Sequence, residues 1–151
     1  MEKGPKGEIS NVYKLNEDPE VEFLLYYRGK EVALDIASDF KAVLASPPHV
    51  LSAAEYATIE VVLRHMSEDD FFERYRVVTT KIGGQTVLLT EGRWIVSDVK
   101  NLALFAAGNN SGSIIDELHY YAPAAKYDKY MDQGMAIFES IKFDGGDRST
   151  L

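Results

Sequence analysis

In the last third of the chain the apolar residues keep two distinct rhythms. From Val99 to Ala107 they run almost unbroken (Val99, Leu102, Ala103, Leu104, Phe105), with Lys100 and Asn101 near the start. A strand wet on one side should alternate, so this run predicts a strand covered on both faces. Gly108-Asn109-Asn110-Ser111-Gly112 supplies residues that tolerate positive φ, and predicts a turn. Ser113–Tyr121 is then the returning strand. Ile114, Leu118 and Tyr120 lie on one side of it, Ile115, His119 and Tyr121 on the other, with Asp116 and Glu117 interrupting. Past Pro123 the rhythm changes. Tyr127, Tyr130, Met131, Gly134, Ile137, Phe138 and Ile141 recur every three or four residues, the stripe of an amphipathic helix running to about Ser140. Gly134 falls on that stripe, which predicts a close approach to the sheet. Ile141-Lys142-Phe143 adds a short edge strand.

Earlier segments alternate more weakly. Ile9–Leu15 predicts a short strand and Val21–Tyr27 a stronger one, rich in branched and aromatic residues. Arg28-Gly29-Lys30 is a turn on this pattern, leading into a strand over Glu31–Ala37. Phe40–Ala45 fits a strand or a short helix, and Pro47-Pro48 ends it. Ser52–Tyr56 stays ambiguous. Thr58–His65 predicts a strand, with Ile59, Val61, Leu63 and His65 on one side. Ser67 caps a helix whose first turn holds Glu68-Asp69-Asp70 and whose apolar contacts are Phe71, Phe72 and Tyr75. Arg76–Ile82 and Thr86–Val96 form a hairpin about Gly83-Gly84, with a bulge at Gly92 beside Trp94. The sum is α+β with a mainly antiparallel sheet. One domain spans residues 9–143, between flexible tails at 1–8 and 144–151.

Composition narrows the function classes. The chain has 151 residues, 46% hydrophobic and 26% charged, ordinary values for a globular domain. Its formal net charge of −8 and lack of a Lys/Arg cluster disfavour nonspecific nucleic-acid binding. Having no cysteine removes disulfides, thiolate metal sites and cysteine nucleophiles. No apolar run reaches the length of a membrane-spanning helix. Location depends on what precedes residue 1: extracytoplasmic with a signal or lipid anchor, cytoplasmic without.

Little of the sequence carries recognisable chemistry. The three histidines, His49, His65 and His119, lie in separate segments with no second His at ligand spacing. Glu68-Asp69-Asp70 lacks the alternating ligands and glycine of a calcium loop. The glycine-rich turn at 108–112 precedes a strand, whereas phosphate loops precede a helix. Asn109-Asn110-Ser111 matches a glycosylation sequon. The candidate binding residues are Trp94, the single tryptophan, and Glu117, His119 and Tyr121 on one face of a strand. No catalytic residue, metal ligand or cofactor is predicted.

From Thr58 onward the order of elements resembles the PsbP-like superfamily. The resemblance rests on Thr58–His65, the Ser67-Glu68-Asp69-Asp70-Phe71-Phe72 stretch, His119-Tyr120-Tyr121-Ala122-Pro123, and the closing Tyr127…Tyr130…Ile137–Phe143 pattern. That superfamily includes the photosystem II extrinsic subunit, Ran-binding Mog proteins, DcrB-type proteins and bacterial lipoproteins. The resemblance implies an α/β/α sandwich around an antiparallel sheet, and a noncatalytic protein-binding or assembly role, including as the exported part of a lipoprotein. Another protein is then the expected partner. Two alternatives accompany it: a small-molecule-binding protein or enzyme with a cavity near His119 and Glu117, and a chaperone for apolar segments of secreted clients.

Overall fold

A computed structural model describes residues 2–3, 9–63 and 72–140, with side chains described for 13–22, 31–63 and 72–140. Strands β1 (Glu2–Lys3), β2 (Ile9–Lys14) and β3 (Glu22–Glu31) come first. Helices α1 (Leu34–Ala45) and α2 (Ala53–Leu63) follow. Four consecutive strands, β4 (Phe72–Ile82), β5 (Gln85–Trp94), β6 (Val99–Ala107) and β7 (Ile114–Pro123), then lead into α3 (Ala124–Ser140). The sheet has seven strands in the order β1-β2-β3-β7-β6-β5-β4, every neighbouring pair antiparallel.

The late strands and the closing helix follow the sequence pattern. All residues from Asn101 to Ala106 and from Ile114 to Tyr120 are buried, so both faces of β6 and β7 are covered. The predicted turns occur at Gly83-Gly84 and at Gly112, each with positive φ. One face of the sheet contributes Leu89, Leu102, Leu104, Leu118 and Tyr120 to a core with Tyr127, Tyr130 and Phe138 of α3. The other contributes Leu88, Ala103, Phe105 and Ile115 to a core with Phe40 and Val43 of α1 and Ile59, Val62 and Leu63 of α2.

Gly134 makes the close approach its position predicts. A Cβ there would stand 3.0 Å from Cγ of Tyr120. That ring is fully buried and its hydroxyl donates to the Tyr127 carbonyl at 2.7 Å, so it has little room to yield. Alanine raises helix propensity by roughly 1 kcal/mol over glycine, but overpacking a core costs about 1–3 kcal/mol. Gly134→Ala should therefore lose about 1 kcal/mol net in urea denaturation. A gain in stability would mean that Tyr120 moves freely.

The first half of the chain departs from the pattern in several places. Glu2–Lys3 pairs with β2 at Ile9–Ser10, within the stretch expected to be a tail. β3 runs on through Arg28-Gly29-Lys30, which form an irregularity between Tyr27 and Lys30 where a turn was expected. The segment expected as a strand over Glu31–Ala37 instead enters α1, where Ala37, Phe40 and Val43 are buried at helical spacing. Thr58–His65 is not a strand: residues 58–63 belong to α2, which buries Ile59, Val62 and Leu63 and leaves Val61 43% exposed. The expected helix from Ser67 through Tyr75 fails where it can be seen, because Phe72 and Tyr75 lie in β4. The irregularity near Gly92 is in the partner strand, between Arg74 and Arg76. The Ser67 cap, Glu68-Asp69-Asp70, His65, the Ile141–Phe143 strand and the 144–151 tail lie outside the described residues.

Missed in α2 is a capping box. Ser52 Oγ accepts from the Glu55 amide at 3.2 Å, and Glu55 Oε1 accepts from the Ser52 amide at 3.1 Å. The same carboxylate takes the Nε2–H of His49 at 2.9 Å, while His49 Nδ1–H donates to the Pro47 carbonyl at 2.8 Å. The Glu55 hydrogen bond, then the Pro47 carbonyl, favours the charged imidazolium and raises the His49 pKa above 6.5. Glu55 is held below 4.5, first by the Ser52 amide and then by His49. Here the loop pairs with β4: the Thr79 amide donates to the His49 carbonyl at 2.8 Å and the Leu51 amide to the Val77 carbonyl at 3.1 Å.

The pH dependence of this clamp follows from those directions. His49 contributes fully below 6.5, and its share is lost as pH rises through its raised value. Glu55 contributes above 4.5, and its share is lost as pH falls through its lowered value. The clamp should be tightest between those two pH values. Urea midpoints measured against pH should show the wild type losing ground above that window relative to His49→Asn. Parallel curves would contradict the assignment.

Candidate functional site

The α1/α2 side of the sheet carries all the candidate binding residues, brought together by register. Residues opposite one another across strands form rows: Phe72–Trp94–Val99–Pro123, then Arg74–Gly92–Asn101–Tyr121, then Val77–Thr90–Ala103–His119, then Thr79–Leu88–Phe105–Glu117. Two-residue periodicity keeps these on one face. Trp94, on a different hairpin from the other three, joins them through Tyr121, ring to ring at 5.4 Å. Tyr121 stacks on His119 at 5.3 Å with planes 7° apart. Phe105 meets the imidazole edge-on at 6.1 Å, and Phe72 packs on Trp94 at 4.8 Å. A continuous line of rings therefore crosses four strands.

Polar groups lie in the middle of that line. Asn101, fully buried, points Nδ2 at Nδ1 of His119 (3.2 Å) and at the Tyr120 carbonyl (3.3 Å). Turning the amide over would set its oxygen against the carbonyls of Tyr120 and Leu102, so the nitrogen must face them. Nδ1 of His119 is then an acceptor and Nε2 carries the proton, which it donates to Glu117 Oε2 at 3.2 Å. Both ring nitrogens are engaged within the sheet. An acid/base role would need one of them released.

Burial decides what these four residues can meet. Relative exposures are 1% for His119, 5% for Glu117 and 7% for Trp94. Only Tyr121 is partly exposed. His119, Glu117 and Trp94 are too enclosed to form a docking surface on the outside of the protein.

Sequence reasoning missed three neighbours on this face. Asn101 Oδ1, Thr90 Oγ1 and Arg74 Nε are buried without a hydrogen-bond partner among the described residues. The register sets Thr90 and Asn101 on adjoining strands diagonally across Gly92, with Arg74 directly opposite that glycine. Gly92 has no room for a Cβ, which would collide with the Phe72 ring and stand 2.6 Å from the Glu73 carbonyl oxygen. Arg74 spends its other nitrogens on α2, donating from Nη1 to the Tyr56 hydroxyl (2.9 Å) and from Nη2 to the Leu63 carbonyl (3.0 Å). For Thr90 and Asn101 the available signal was a polar residue in a strand buried on both sides; Arg74, on the more exposed β4, gave no such signal.

No family model, curated protein or solved structure matches the chain. Its own geometry must carry the reading. Among the described residues, no cluster of three or more His, Asp or Glu is placed to hold a metal ion, and no helix is long and apolar enough to cross a membrane. The sequon asparagine is not presented to solvent. Asn109 is 6% exposed, its Nδ2 donates to Ser113 Oγ at 3.0 Å, and its Oδ1 accepts from the Ile114 amide at 3.2 Å.

On the opposite face, Glu91 accepts from the Tyr127 hydroxyl at 2.8 Å and pairs with Arg76 at 2.6 Å. Burial, then that carboxylate, raises the Tyr127 pKa, so the phenol stays a donor tying α3 to the sheet.

Proposed function

We propose that this chain is a small-molecule-binding domain of PsbP-like, α/β/α-sandwich architecture, with its site on the α1/α2 side of the sheet. The observation that carries the reading is the group of unpartnered buried atoms, Asn101 Oδ1, Thr90 Oγ1 and Arg74 Nε, beside a line of aromatic rings. An unsatisfied buried polar group costs about 1–3 kcal/mol, and a fold keeps several together most readily where a bound molecule satisfies them. Rings with a few convergent polar groups are what small-molecule sites commonly offer. The sandwich reading draws on the two cores, one with α1 and α2 and one with α3. The PsbP-like reading now leans on the late strands and closing helix, since residues 58–63 are helical.

Screening fragments by amide NMR on the wild-type protein tests this. Hits should shift the amides of Gly92, Asn101, His119 and Tyr121 together. Shifts scattered over the surface, or none, would overturn it. The accessory-protein reading draws instead on Ile95 and Val96, 44% and 74% exposed in the turn after Trp94. It predicts that a partner perturbs that turn and leaves the His119 region unchanged.

A further inference from the structure

We infer that residues 49–51 are a removable guard over the β4 edge of the sheet, latched by the His49–Glu55 pair and released when His49 gives up its proton. β4 ends the sheet order, so one long side of its backbone faces no neighbouring strand of the described sheet. An edge of that kind is a template for another extended chain, and folds cover or interrupt it. The cover in this protein is short. Val50 bridges antiparallel to Val78, the Leu51 amide donates to the Val77 carbonyl at 3.1 Å, and the Thr79 amide donates to the His49 carbonyl at 2.8 Å. Pro47 and Pro48 precede it, and a proline has no N–H with which to carry the ladder further.

The two ends of the guard are held by different forces. Leu51 is partly buried against the core of α1 and α2, so apolar packing anchors that end. Val50, 71% exposed, adds little. The His49 end rests on polar contacts. Its amide donates to Thr79 Oγ1 at 3.0 Å, and its ring joins the Glu55 carboxylate to the Pro47 carbonyl. Among the described residues the charged group acting on the ring is Glu55, from α2; β4 presents only the Thr79 hydroxyl and its backbone. A neutral imidazole has one N–H for two acceptors. If Nε2 keeps it for Glu55, the Thr79 hydroxyl, 3.3 Å from Nδ1, can donate to that nitrogen, but the Pro47 carbonyl loses its donor. The guard therefore opens from the His49 end, baring the Thr79 amide while Leu51 stays seated. It is closed between 4.5 and 6.5 and opens as pH rises through the raised His49 value.

Amide hydrogen exchange, corrected for the intrinsic rate at each pH, reads this opening residue by residue. In wild type, protection of the Thr79 amide is compared with that of Leu104, which sits on a strand paired on both sides. That ratio should fall by about tenfold or more as pH rises from below 6.5 through the His49 value, the scale of one charge-assisted hydrogen bond. The Leu51 amide should lose less. Glu55→Gln removes the charge but keeps the capping box, which accepts Gln as well as Glu, so its Thr79 ratio should be low and nearly flat with pH. A wild-type ratio that does not change with pH, whether both amides hold or fall together, would overturn the guard. A Glu55→Gln ratio that follows the wild-type curve would overturn the latch. If Glu55→Gln does not fold, the wild-type ratio decides the question alone.

Discussion

Phe105→Ala is expected to cost about 3–5 kcal/mol, enough to leave the domain marginal or unfolded at room temperature. The ring is 1% exposed and belongs to the core that the sheet shares with α1 and α2. It is anchored on the sheet, with Phe40 and Leu63 of the helices in the same core and His119 against its edge. Truncation removes apolar area from two helices at once and opens a void beside a polar group. Denaturant titration, with Phe105→Leu as the volume-conserving control at under about 1.5 kcal/mol, checks this. A loss below 1 kcal/mol in the alanine variant would mean that the helices on that face are not closely packed against it.

His119→Ala is expected to cost about 3 kcal/mol, for a different reason. The imidazole occupies the space between Tyr121 and Phe105, and it satisfies both Asn101 and Glu117. Removing it takes a donor from a 5% exposed carboxylate and an acceptor from a buried amide. Glu117→Gln should be milder, about 1 kcal/mol, because the amide oxygen still accepts from Nε2–H. Long-range 1H–15N correlations should show the His119 proton on Nε2. A stability change within about 0.5 kcal/mol for His119→Ala would show that the network is incidental.

How much of this was legible in the sequence follows from how local each cause is. The β6–β7 hairpin and α3 could be read because their apolar spacing, Gly112 and Pro123 all point one way. The segment 31–63 could not. Val32, Leu34 and Ile36 alternate like a strand, yet the helical spacing of Ala37, Phe40 and Val43 continues further and prevails. In α2, Thr58, Ile59, Val61 and Val62 have the branched side chains of strands, while the Ser52–Glu55 box that starts the helix lies in a stretch whose apolar pattern fits no single element. Glu117, His119 and Tyr121 share a strand, so two-residue periodicity alone groups them. Trp94 and Thr90 join them only through the β5–β6–β7 register, and Arg74 only through a β4–β5 pairing shifted by an irregularity at Arg74–Arg76 that no local motif marks.

The central claim is that this sheet face keeps unsatisfied polar groups for a ligand, and Thr90→Val tests it most directly. Thr90 is 1% exposed, and its hydroxyl has no partner among the described residues. A methyl of similar size should relieve that cost and stabilise the ligand-free protein by about 1 kcal/mol, raising Tm by about 2–4 °C. A comparable fall in Tm would show that the hydroxyl already holds the fold together, and the account of this face as a site built for a bound molecule would fail.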